Sequence, residues 1–99
     1  MTRRLRFGAF VPQGWKLEYT GMDAAAAWDR SKEIARTADA CGLDGMTLPD
    51  HVLCPETIAT PYPYDPDGRP PFDPSTPWLD PWIAISAMAA VATRVRFLT

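Results

Sequence analysis

Apolar and polar positions alternate along the chain with two different periods, and the switches between them outline five elements. "LRFGAFVPQG" is a short run rich in Phe and Val that stops at Pro12 and Gly14, the pattern of a buried strand entering a loop. Phe7, Ala9 and Val11 point one way, Gly8 and Phe10 the other. Both sets are apolar, as in parallel sheets covered by helices on both faces. In "MDAAAAWDRSKEIARTADACG", Ala24, Ala27, Ser31, Ile34, Ala35, Ala38 and Cys41 share one stripe, with Asp29, Lys32, Glu33, Arg36 and Asp39 opposite. Asp23 is the expected N-cap and Gly42 the left-handed stop. The stripe makes Cys41 a small core residue.

A second strand is expected over 44–48, ended by Pro49, which lacks a backbone donor. Residues 52–78 then hold eight prolines, which excludes helix or sheet interior and leaves a long loop. Its aromatics Tyr62, Tyr64, Phe72 and Trp78 argue that it packs against something. At "WLDPWIAISAMAAVATRVRFLT", Asp80 is the expected N-cap and Pro81 the first helical residue of a helix over 81–93. Ala84, Ala87, Met88 and Val91 form its core stripe. Ile83, Ile85, Ala89 and Ala90 extend the apolar surface nearly all round, as in a helix buried on several sides. "VRFLT" begins a third strand.

The predicted order is strand over 5–11, helix over 24–41, strand over 44–48, loop, helix over 81–93, strand over 95–99. Right-handed crossovers place three parallel strands side by side with helices on one face. The opposite face, with Phe10, is then bare. Three β/α units are three-eighths of a barrel that usually has roughly 250 residues, so the fold class is α/β, the first three units of a truncated (β/α)8 barrel, with residues 1–99 as part of one domain.

Composition narrows the function classes. The 99 residues carry a formal charge of −2, which provides no footprint for nucleic acid, and the Arg3, Arg4, Arg6 cluster is too short to change that. "FGAFV" is broken at Pro12 and lacks the length of a signal peptide or membrane span. Cys41 and Cys54 are too few for a disulfide scaffold, consistent with a reducing cytoplasm.

His51, the one histidine, follows Asp50 just past the second strand. Barrel active sites lie at the C-terminal strand ends, and imidazole exchanges protons near neutral pH, with a neighbouring carboxylate able to set its tautomer or favour the cation. Adjacent residues of a strand project to opposite sides, however, and a surface histidine without a task fits the dipeptide about as well. Asp50, His51 and Cys54 match no closed zinc pattern, so no metal site is expected.

"RFGAFVPQG", "CGLDGMTLPDHVL" and above all "PETIATPYPYDPDGRPPFDPSTPWLDPWIAISAMAAVATRVRF" resemble the N-terminal third of the luciferase-like monooxygenase superfamily. The resemblance is greatest to its deazaflavin (coenzyme F420)-dependent oxidoreductases. It implies a barrel binding coenzyme F420, alternatively FMN, at the C-terminal strand ends, with hydride transfer to or from a small organic substrate. Asp50 and His51 match the family's Asp-His pair beside the cofactor ring, and Thr99 a position at the third strand's end. By this resemblance His51 is the catalytic residue, and Asp50, His51 and Thr99 contact the cofactor. Pro49 stands where a small polar residue is more usual, and Leu98 where glycine is frequent. The expected protein is a cytoplasmic oxidoreductase or monooxygenase when full length, with homo-oligomerisation open to it, and residues 1–99 are expected to be inactive alone. The alternative is a truncated remnant or interaction module without cofactor, using the apolar second helix as an interface.

Overall fold

A computed structural model describes residues 4–12, 18–50, 57–69 and 78–99. The element order is β1 (Gly8–Phe10), α1 (Ala24–Ala40), β2 (Gly45–Thr47), α2 (Pro81–Ala89) and β3 (Arg96–Leu98). The strands form one parallel sheet in the order β1-β2-β3. Gly8 is level with Gly45 and Arg96, and Phe10 with Thr47 and Leu98. The small α/β architecture expected from the sequence is therefore present, with three parallel strands and two helices.

Each helix begins where its capping chemistry predicts. The Asp23 side chain accepts the Ala26 N–H at 2.8 Å, and Asp80 accepts that of Ile83 at 2.9 Å, with Pro81 at the start of α2. Gly42, at φ +84°, makes the left-handed turn after α1. One core joins both helices to one face of the sheet: Ala35 and Ala38 from α1, Ala84 and Met88 from α2, and Val11, Met46 and Leu48 from the strands. Ser31 is buried within the α1 stripe, whereas Ala24 is exposed.

Several expectations are corrected. The second helix stops at Ala89 instead of continuing to 93, because the N–H groups of Thr93, Arg94 and Val95 turn to the Asp39 carboxylate instead of to helical carbonyls. Ala92 and Val95 still enter the core. α2 is also not buried on several sides: Trp82 and Ile83 are each 63% exposed. Cys41 is an exposed free thiol and not a core residue, since it caps α1 just before the chain turns at Gly42. The strands are shorter than expected, although Val11 N–H to Thr47 O and Leu48 N–H to Leu98 O, both 2.9 Å, carry the pairing one residue further.

β1 is exposed along its whole length rather than covered on both faces. The sheet face away from the helices is open, with Phe10 at 75% and Leu98 at 57% exposure. This is the bare face that three units without covering elements were expected to leave. In the Pro-rich segment, Tyr62 and Gly68 close a turn by the Tyr62 N–H to Gly68 O bond at 2.9 Å, and the Tyr62 and Tyr64 rings meet edge to face. Tyr64 is exposed, Trp78 is half-buried, and Phe72 lies outside the described residues.

Candidate active site

A parallel sheet brings the ends of all its strands to one rim. Thr99 is one residue beyond Leu98, which pairs with Thr47, and Asp50 is three residues beyond Thr47. Both therefore stand at the C-terminal rim on adjacent strands, and both are exposed. Asp50 makes no hydrogen bond or ion pair with the described residues. His51 and Cys54 lie outside the described residues, so the Asp50-His51 relationship rests on adjacency in sequence alone.

The third part of this rim is the exit from β1, and its anchor is Tyr19. The Tyr19 side chain is 1% exposed. Its hydroxyl donates to the Pro12 carbonyl at 2.5 Å and lies 2.7 Å from Ser31 Oγ. Ser31 Oγ also lies 3.0 Å from the Ala27 carbonyl. Proton supply fixes the direction of this chain. Only the phenol can donate to Pro12, so Ser31 must offer its single proton to Tyr19, to Ala27, or to both in a shared bond. Burial raises the Tyr19 pKa above its ordinary value, partly opposed by the Ser31 bond. The phenol thus stays protonated and ties Pro12, at the exit from β1, to Ser31 of α1. Tyr19 escaped sequence reasoning, although Ser31, a hydroxyl inside an alanine stripe, was the available signal that a polar partner must reach α1.

At the opposite end of the strands, carboxylates act as clamps. Asp39 accepts three backbone N–H groups, from Val95 at 2.7 Å, Arg94 at 3.0 Å and Thr93 at 3.3 Å. These bonds, that from Val95 foremost, hold its carboxyl below the usual range. Asp44 Oδ2 accepts the Phe7 N–H at 3.0 Å, fixing the entry to β1.

A separate concavity lies elsewhere. A cleft of about 300 Å³ runs between the outer edge of β1 and α1, walled by Phe10, Ile34, Leu43 and Met46. Arg30 and Glu33 on its border already pair with each other at 2.9 Å. The cleft holds neither Asp50 nor Thr99 and presents no acid–base pair free for chemistry. Among the described residues no group of three His, Cys, Asp or Glu side chains could hold a metal ion, and no helix is long and apolar enough to cross a membrane.

Over 64 residues the chain is 38% identical to uncharacterized proteins of Mycobacterium bovis and Mycobacterium tuberculosis. The matched stretch is 65% of this chain and 22% of each relative, so the chain spans about a fifth of the length of the curated relatives it matches. No protein-family model and no solved structure matches it.

Proposed function

We propose that the chain is the N-terminal part of a luciferase-like (β/α)8 barrel that uses coenzyme F420, alternatively FMN, to move a hydride to or from a small organic substrate. The observation that carries this reading is that Asp50 and Thr99 both follow the C-terminal ends of adjacent strands of a parallel sheet whose described helices pack on one face. The length of the relatives is in keeping with it. If 64 residues are 22% of each, they are about 290 residues long, enough for a complete barrel.

The residues present suit a planar cofactor. Phe10, Thr47 and Leu98 form the row of the open face nearest the rim, with exposed apolar surface for a ring. Asp50 and Thr99 offer an acceptor and a hydroxyl beside it. The deazaflavin, when bound, supplies the hydride chemistry. His51 holds or accepts a proton at the reacting substrate atom, and Asp50 sets the polarity of the rim beside it. Tyr19 holds the Pro12 carbonyl at the exit from β1, beside the same rim.

Titrating the full-length protein separately with coenzyme F420 and FMN, followed by absorbance and fluorescence, tests the proposal. Saturable binding of one, weakened by Asp50→Ala, is expected. Binding of neither overturns it. The exposed Trp82 and Ile83 of α2 favour a second reading, a cofactor-free interaction module. A protein that ignores both cofactors but associates through α2, and loses that association in Trp82→Ser, would support it.

A further inference from the structure

The row of residues nearest the rim is Phe10, Thr47 and Leu98, side by side on β1, β2 and β3. One row further from the rim stand Gly8, Gly45 and Arg96. Residues two apart on a strand share a face, so both rows belong to the face away from the helices. Leu98 is the branched aliphatic side chain of the first row, and the direction it takes decides whether it underlies a planar ring or stands in its way.

Leu98 Cδ1 lies 3.6 Å from the point that a Cβ on Gly45 would occupy. Gly45 is not its partner across the ladder, which is Thr47, but the residue two earlier on β2. The end of the leucine therefore reaches diagonally onto β2 and away from the rim, as long side chains do toward diagonal neighbours. Glycine inside a strand weakens it and has its use where something approaches closely. At Gly8 that something is backbone, since a Cβ there would stand 3.1 Å from the Gly45 carbonyl oxygen. Gly45 has no such constraint: its φ is not left-handed, and a Cβ would meet the Arg96 carbonyl oxygen at 3.6 Å, an ordinary contact. What its missing side chain provides is the space that Leu98 lies over.

We propose that Gly45 is a positioning residue for the cofactor: it seats the end of Leu98 against β2, so that Phe10, Thr47 and Leu98 present a low apolar floor to the deazaflavin or flavin ring. The inference rests on the cofactor reading above and adds to it the pair of residues that sets the depth of the ring site. A branched side chain at position 45 would fill the seat. Leu98 would then have to change rotamer and stand up from the sheet, in the space the ring needs. Gly45 itself touches no part of the ring in this arrangement and acts only through Leu98.

The test is made on the longer protein, with binding of coenzyme F420 and of FMN followed by fluorescence and the Leu98 methyl groups followed by NMR. The unsubstituted protein should show a nuclear Overhauser contact between a Leu98 δ-methyl and the Gly45 α-protons. Gly45→Val should displace that methyl and weaken binding of the cofactor about tenfold or more, the scale of an overpacked site. Its circular dichroism spectrum should be unchanged, because a β-branched residue suits a strand. Leu98→Ala added to Gly45→Val should bring the affinity back to within about threefold of the unsubstituted protein, a rescue that a general loss of fold would not permit. Should Gly45→Val fail to fold, Gly45→Ala decides in its place, with a loss of about two- to threefold that Leu98→Ala again reverses. Unchanged binding in the position-45 variants, or a double variant as weak as the single one, overturns the proposal. Absence of the methyl contact overturns it whatever the cofactors do. A contact that is present in a protein binding neither cofactor overturns the cofactor reading and the role of the seat with it, so the two failures are told apart.

Discussion

Val95 donates its N–H to Asp39 at 2.7 Å across 56 residues of sequence. The same carboxylate takes two further N–H groups from the segment entering β3. One side chain at the last turn of α1 therefore decides where the third strand begins. Asp39→Asn keeps one acceptor oxygen and loses the charge, whereas Asp39→Ala loses every bond. Both should lower the urea midpoint, the alanine variant further, with the m-value unchanged if the fold is kept.

The pH dependence of that difference has a fixed sign. The folded-state pKa of Asp39 is depressed by its backbone donors. Its contribution is complete above the unfolded value of about 3.8 and is lost as pH falls through the lower folded value. The gap between wild type and Asp39→Asn should be constant from about pH 7 to 5 and close on further acidification. A gap that persists at the acid extreme would assign the effect to packing instead.

Tyr19→Phe should cost about 1 to 2 kcal/mol, because it strips the partner from the Pro12 carbonyl and leaves Ser31 only its Ala27 bond. Ser31→Ala should cost less, since Tyr19 keeps Pro12. Because the two hydroxyls share one proton chain, their double-mutant cycle should be non-additive. The raised Tyr19 pKa adds an alkaline limit: stability from the neutral phenol is complete below about pH 10, its unfolded value, and decays as pH rises through the folded one.

Phe10→Ser combined with Leu98→Thr should leave the stability of the isolated 99-residue chain nearly unchanged, since both side chains are already mostly in water. It should still reduce oligomers in size-exclusion chromatography and lower dye binding to exposed apolar surface. A large loss of stability would mean that these side chains are buried in the dominant species.

On the proposed cofactor-dependent reading, His51→Ala in the longer protein should lower the catalytic rate by about 10² to 10⁴ with cofactor binding retained. Normal turnover at saturating cofactor would make His51 a structural residue. Asp50→Ala should chiefly weaken cofactor binding.

What the sequence made legible was governed by local chemistry. Asp23 and Asp80 fix helix starts through bonds to their own neighbours, Pro81 through its fixed φ and missing N–H, and Gly42 through its left-handed φ, and all four behave as their residue types require. The end of α2 was not legible, because Ala90 to Val95 carry no stop signal of their own; the competing acceptor is Asp39, a residue of another helix. Cys41 was misread for a related reason, as stripe periodicity continues past the residue at which the backbone leaves the helix. Asp50 and Thr99 both follow the C-terminal ends of adjacent parallel strands, which is a consequence of topology. Tyr19 is invisible to periodicity because it comes from a turn, and only the buried Ser31 hydroxyl hints at it.

The adjacency of strands in chain order has a consequence for synthesis. The Gly8–Gly45 pair joins residues 37 apart and the Gly45–Arg96 pair residues 51 apart, so the first pair closes the shorter loop and is available first. At roughly 5 to 20 residues per second, about 3 to 10 s pass on the ribosome between delivery of β2 and of β3. During that interval Met46 and Leu48 can be covered from one side by α1 alone. The nascent chain thus presents an unfinished sheet edge for seconds, and a chaperone that binds extended apolar segments would have its opportunity there.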